Sequence, residues 1–474
     1  MPRDKNVPRI DTQDKRIQLI SELLREAAEE RVSSSASFED HQTARKQVMA
    51  AAMYLAEGAH LQELVVDEKH VEVEGVVYRR LSQQSSASYH GLWGTHVIHE
   101  QLYRDTRERG GPTIKPLELR VGMIGAMLPD CARLVGRMAS IETSREIWDS
   151  LVAHGYRPPS RAFIEKHIAQ MVSGLDVAAL EAEAREKAPL AGPIAAVSCG
   201  MDRMAIRMNE PQPDSQKAPV RPPKRPYKRT PPPPAELNWR MALVGSVTTY
   251  DADGNALTTL RYAADADTAR DAFADRIAAD VHAILGRHPG IPVVCVQDGA
   301  EDLLVLTDKV RECAANSPFY HLTDFPHLMG YLSAVVKDCE LPGDPNHMHE
   351  WYRQELIHDD KAIERIYINL GRTADRLPGD HPGQASIARA RRYIKDRRPN
   401  MRYAEPHAAN LPIGSGATES TCNIMQLRVK RAGMSWRPPG LAGILAIRGL
   451  VLSRRWEAAW PSYAARFRRQ VNAA

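Results

Sequence analysis

The stretch IPVVCVQDGAEDL, residues 291–303, carries an unbroken apolar run that stops abruptly at Asp298 and Gly299. Valines side by side, without polar alternation, predict a strand buried on both faces, as in the parallel part of a sheet. The Asp-Gly that ends it places a carboxylate at the carboxyl edge of such a sheet, where open α/β folds carry their working crevice. An Asp-Gly at a strand end is also an ordinary turn, so this residue alone decides nothing about chemistry.

Working outward, a helix is expected at about 266–286 and another after Asp298, followed by a short strand at 319–322. Upstream, strands are expected at 194–207, 239–250 and 257–262, the last two joined by the turn DADGN. The order is therefore three strands, helix, strand, helix, strand. That is an α/β chain with the order of a ribonuclease H-like mixed sheet. Residues 333–405, helical and highly charged, read as an insertion after the last strand, and His347, His349 and His358 within it read as surface residues. Between the first two strands, residues 211–234 hold ten prolines and six basic residues, including Lys224 and Arg225. Such a segment has too little apolar content to fold alone. It suits an extended arm along a DNA backbone or, equally, an enlarged linker.

Two further acids stand out. Asp202, in VSCGMDRMAIRM, follows an apolar half-strand and is placed near that strand's end. One acid on each of two central strands is the arrangement that holds a pair of hard cations. Glu419 lies in LPIGSGATES, where Gly414 and Gly416 lead into a helix. A glutamate in a first helical turn is otherwise only a partner for the helix dipole.

The segment LPIGSGATES and the NIMQLRVKRAGMSWRPPGLAGILAIRGLVLSRRW that soon follows it resemble the end of the catalytic domain in bacterial insertion-sequence transposases of the Kra type, relatives of the mutator-like DDE group. The resemblance extends to GMDRMAIRMNEP, WRMALVGSVTTYDADG, VQDGAEDL and FYHLTDFPHLMGYL, and covers roughly residues 190–460. It implies that Asp202, Asp298 and Glu419 form a catalytic triad holding two Mg²⁺ or Mn²⁺ ions. It also implies cleavage at transposon ends, then strand transfer into target DNA. DNA, as terminal inverted repeats and target, is the implied partner, and synapsis of two ends implies a homodimer or larger assembly. Asp324 and His327, in Asp-Phe-Pro-His, are similar to the DxxH found near this point in mutator-like transposases; a capped histidine at a helix start is the alternative. Arg428, Lys430 and Arg431 share the Glu419 helix and are candidates for phosphate contacts. Trp436 suits either an unpaired base or the core. Departures from the family are the lack of cysteine pairs in YHGLWGTHVIHEQLYR, against a zinc module there, and Arg203 where relatives often carry glycine.

The remaining chain is read from pattern alone. The 474 residues suggest two or three folded units, here 1–115 (two helices and a small antiparallel sheet), 116–190 (helical), the catalytic 191–460, and a basic tail 461–474. Within 116–190, a helix from Ser144, the turn GYRPP and a helix from Ser160 outline a helix-turn-helix. Arg161, Lys166 and His167 would face the groove, over a stripe of Phe163, Ile164 and Ile168; two packed helices without a DNA role fit the same spacing. The net charge of +4 is a weak argument for a polyanionic partner. From Met425 onward, however, ten basic residues face one acid, Glu457, a concentration that phosphate contacts would use. Six cysteines without close pairs suggest reduced thiols. With no apolar leader or spanning run, a cytoplasmic, nucleoid-associated protein is expected. Two readings compete with the transposase: a DNA-binding protein that has kept the fold without the chemistry, and a metal-dependent nuclease or junction resolvase.

Overall fold

The computed structural model describes residues 14–33, 35–107, 110–173, 175–190, 192–211, 235–340 and 345–474. Among the described residues the chain is mixed α/β with two five-stranded sheets. It divides into two compact units, Met1–Met171 with Tyr463–Ala474, and Val172–Ser462.

The first unit opens with α1 (Lys15–Glu29) and α2 (Phe38–Glu63), which pack on each other. Ser37 and Asp40 form a reciprocal capping box at the start of α2. The sheet comprises β1 (His70–Val73), β2 (Val76–His90), β3 (Thr95–Asp105) and β4 (Thr113–Ile114), followed by α3 (Pro116–Val121), α4 (Pro129–Ala139), α5 (Ser144–Ala153) and α6 (Arg161–Ser173). The two helices expected around the GYRPP turn are α5 and α6. Arg161 and Lys166 are exposed on α6, whereas His167, expected on the same polar side, is fully buried. Burial pushes its imidazole down to about 4, so His167 is a neutral core residue and not part of a groove-reading face.

In the second unit, α7 (Val177–Lys187) precedes the central hairpin of β5 (Ala196–Pro211) and β6 (Ala235–Tyr250). Next come β7 (Ala256–Ala264), α8 (Arg270–Arg287), β8 (Val293–Gln297), α9 (Val305–Cys313) and β9 (Phe319–Thr323). The sheet order is β7-β6-β5-β8-β9, antiparallel across β7, β6 and β5 and parallel across β5, β8 and β9. Every residue of β8 is buried, and its side chains serve two cores in alternation. Val293 and Cys295 join Phe273, Ile277 and Val281 of α8; Val294 and Val296 join Leu328 and Leu332 on the other face. That second face is covered by the insertion, α10 (Phe325–Asp338), α11 (Pro345–His358), α12 (Ala362–Arg376), α13 (Pro382–Arg397) and α14 (Ala404–Ala408).

The hairpin is longer than the apolar pattern suggests. Its ladder runs from Ala196↔Tyr250 to Pro211↔Ala235, so Asp202 lies inside β5, not near its end. In its outer half Met204, Ile206 and Met208 are buried while Leu237, Trp239 and Met241 stay exposed, and beyond Met208 the strand runs on through Asn209, Glu210 and Pro211, where hydrophobicity alone under-reads it.

The chain then forms α15 (Gly416–Val429), α16 (Pro438–Leu452), α17 (Trp456–Ala465) and β10 (Val471–Ala473). The last residues are not a free tail: β10 pairs antiparallel with β1, Val471 opposite Val73. A buried ion network on α8 ties the second unit together. Asp280, 1% exposed, accepts from both Arg455 Nη atoms (2.8 and 2.5 Å), from Arg185 Nε (2.9 Å) and from the Tyr262 hydroxyl (2.6 Å). Arg276 beside it pairs with Glu181 of α7 at 2.6 Å. Among the described residues no helix is long and apolar enough to cross a membrane.

Candidate active site

The parallel register between β5 and β8 pairs Val197 with Val293 and Cys199 with Cys295. Carried three residues further, it sets Asp202 abreast of Asp298 just where β8 has ended at Gln297. The strand break is anchored from below, since buried Gln297 donates from Nε2 to the Leu303 carbonyl at 3.0 Å. Asp298 Oδ1 accepts from the Ala300 amide at 2.9 Å, the turn that its side chain was built to close.

Helix α13 clamps this turn from the insertion. Arg397 donates to the Gly299 carbonyl from Nε (3.2 Å) and Nη2 (2.9 Å), and the Tyr393 hydroxyl donates to the Asp298 carbonyl at 3.3 Å. The Arg397 guanidinium also lies 4.8 Å over the Tyr393 ring. Gly299 has a φ of +83°, and a Cβ there would come within 2.3 Å of Arg397 Nε. Both constraints require glycine.

Glu419 arrives on α15, whose docking depends on a second glycine. Gly200 of β5 faces Thr418, and a Cβ at Gly200 would stand 2.4 Å from Thr418 Oγ1 and 2.7 Å from the Val296 carbonyl. Thr418, buried, shares a 2.8 Å hydrogen bond with Ser246 of β6. One residue on, Glu419 accepts from the Ser415 hydroxyl at 2.9 Å. One turn further, the Cys422 thiol points at Asp202 Oδ2, 3.5 Å away. Burial and the Asp202 carboxylate push that thiol well above its ordinary range.

Asp202, Asp298 and Glu419 line one cavity of about 670 Å³, together with His327, Tyr331 and Arg389. Asp202 Oδ1 accepts from the Arg203 amide at 2.6 Å, while the Arg203 guanidinium is drawn off to Asp302 at 2.8 Å. Asp324 is fully buried and acts as a cap: Oδ2 accepts from the His327 amide (2.8 Å) and Oδ1 from the Ser415 amide (2.5 Å). It therefore joins the start of α10 to the loop that leads to Glu419. His327 itself is half exposed in the cavity, Nδ1 3.6 Å from Asp324 Oδ2. Among the described residues, the side chains that bring ligand atoms all within 4.8 Å of one another are Asp324, His327 and Glu419. Asp202 and Asp298 are not in a group that tight.

The donor set suits hard divalent cations. Three carboxylates face the cavity against one guanidinium, Arg389, and oxygen is the donor that Mg²⁺ takes.

The other residues singled out from sequence fall elsewhere. Arg428 is 5% exposed, with its guanidinium 5.0 Å over the Trp436 ring. Trp436 is structural too: Nε1 donates to the Val429 carbonyl at 2.9 Å, and its backbone bonds with Arg207 and Asn209 of β5. Lys430 is exposed at the C-cap of α15, and Arg431 lies beyond that helix, half-buried. Lys224 and Arg225 lie outside the described residues. Arg161 and Lys166 belong to the first unit. Sequence reading missed Arg389, Tyr393 and Arg397, hidden in a helix that reads only as a charged insertion, and Cys422, whose sole signal is its place three residues after Glu419.

No family model and no curated protein matches this chain. Among solved structures it is similar to a chain of the Drosophila P element transposase strand transfer complex, at 12% identity and a TM-score of 0.26, over 69% of this chain and 79% of that one.

Proposed function

We propose that this chain is a DNA transposase of the DDE kind, built on a ribonuclease H-like sheet and similar to the Kra-type insertion-sequence enzymes. The observation that carries the reading is the convergence of Asp202, Asp298 and Glu419, far apart in sequence, on one cavity. The sheet order, with three antiparallel strands continued by two parallel ones, supports the fold assignment.

In this reading Asp202, Asp298 and Glu419 are the catalytic and metal-holding residues. A pair of Mg²⁺ or Mn²⁺ ions bound there would activate the attacking oxygen and neutralise charge on the leaving one. The protein's own groups hold the geometry. Arg397 and Tyr393 fix the Asp298 turn, Thr418 and Ser246 seat the Glu419 helix, and Asp324 locks the approach to that helix. Arg389 offers the cavity a cation for a non-bridging phosphate oxygen, and His327 a ring that can hydrogen-bond one. The reaction begins with hydrolysis at the element end, which leaves a 3′-hydroxyl. That hydroxyl attacks a target phosphodiester and displaces the target strand's 3′ oxygen. Two ends must be processed together, so a homodimer or larger assembly on terminal inverted repeats is part of the proposal.

The test is an assay of the purified chain on DNA bearing its own element ends. Cleavage and joined products are expected with Mg²⁺ and neither with a chelator. Ends lacking the 3′-hydroxyl should fail to join. Cleavage without joining would favour a nuclease, and binding indifferent to Mg²⁺ with no cleavage would favour a DNA-binding module.

A further inference from the structure

Helix α13 does more than brace the Asp298 turn. It carries five basic residues and a single acid, Asp396. Two of the five have aromatic seats. Arg391 lies 4.7 Å over the Tyr367 ring and Arg397 is held over Tyr393. The other three lie on the open side of the helix. Arg389 lines the carboxylate cavity, its side chain 59% exposed and its nearest acid, Asp338, 3.9 Å away. Arg392 and Lys395 are exposed, and no ion pair engages either among the described residues. Asp396, four residues after Arg392, forms none with it.

The spacing of these three residues is the second observation. Arg389, Arg392 and Lys395 are three apart, so neighbours stand roughly 5–6 Å from one another along the helix, a row that climbs away from the cavity. Beside it the exposed side chains include Ala385 and Ala388, which leave the helix surface low, and Asp396, the one acid on this face. Arg392 and Lys395 also border a shallow groove of about 470 Å³ with Tyr367 and Gln384.

We propose that Arg389, Arg392 and Lys395 form a track for the phosphate backbone of DNA leaving the carboxylate cavity, so that the helical insertion is a nucleic-acid-binding element. This rests on the transposase reading for the identity of the polyanion. The contacts are made to phosphates and carry no sequence preference.

The experiment uses the full chain with a fluorescent duplex of about 30 base pairs and random sequence, in a chelator, between about 50 and 200 mM sodium chloride. Arg392→Ala/Lys395→Ala is expected to weaken binding roughly tenfold and to reduce the slope of log affinity against log salt by about 1.8. The thermal midpoint should be unchanged, because neither side chain is buried. Arg287→Ala, an exposed cation at the end of α8, should leave the slope as it is. A double variant with the wild-type slope and affinity would overturn the track while leaving the transposase reading intact. A wild-type chain that binds no duplex at any of these salt concentrations would overturn both.

Discussion

Asp298→Asn is expected to reduce strand cleavage in Mg²⁺ by roughly 10³-fold or more, the scale on which a preorganised charge at a reacting centre acts. Duplex binding and stability should be unchanged. An asparagine keeps the shape of the residue, and its carbonyl oxygen can still accept from the Ala300 amide as Asp298 Oδ1 does at 2.9 Å. The clamp from Tyr393 and Arg397 acts on main-chain carbonyls, so it too survives the change. What is lost is one negative charge in a cavity that has three carboxylates. Stability should therefore move by no more than about 0.5 kcal/mol. Parallel rate and thermal-unfolding measurements on the purified variant separate the two effects. A variant that cleaves at the wild-type rate would remove Asp298 from the chemistry.

Asp280→Ala should have the largest effect on stability, about 3–5 kcal/mol, because removing one member of a buried ion cluster strands the others. Arg455, 3% exposed, would lose both of its bonds to Asp280, and Arg185 and the buried Tyr262 hydroxyl would lose theirs. For a unit of this size the thermal midpoint should fall by on the order of 10 °C. The same cluster sets a pH dependence. Burial raises the Asp280 carboxyl, but the hydrogen bonds from Arg455 and Arg185 outweigh it and hold the group below its ordinary 3.8. A carboxyl depressed by folding contributes stability above its unfolded value and loses it as pH falls through the folded one. The wild-type chain should thus lose this increment below about pH 4, so that its advantage over Asp280→Ala narrows there. Thermal melts of both proteins from neutral pH down to acid check it. A midpoint within a degree or two of wild type at neutral pH would show that the network contributes little.

β8 is legible in the sequence because the short, valine-rich apolar run Val293–Val296 favours a buried strand, and Asp298 stands just after that run stops. The Glu419 helix is legible for a similar local reason, its glycine-rich entry. The outer end of β5 and β6 is not, since the rungs that pair Asn209 with Leu237 and Glu210 with Glu236 rest on backbone hydrogen bonds between mostly polar residues. His167 is misread because a polar residue on a helix can face either way, and only the surrounding fold decides that this one is enclosed. Arg428 illustrates the same point: charge suggests a phosphate contact, while its neighbour Trp436 in space takes the guanidinium. The roles of Gly200 and Arg397 depend on contacts with Thr418 and Gly299, more than two hundred and about one hundred residues away along the chain. Nothing in the local pattern encodes such distances.

The most direct test is anomalous diffraction from crystals grown with Mn²⁺. Two manganese peaks about 3.5–4 Å apart, bounded by oxygens of Asp202, Asp298 and Glu419, are the result predicted. A single ion held by Asp324, His327 and Glu419 with Asp202 and Asp298 bare, or no bound manganese at all, would contradict the account.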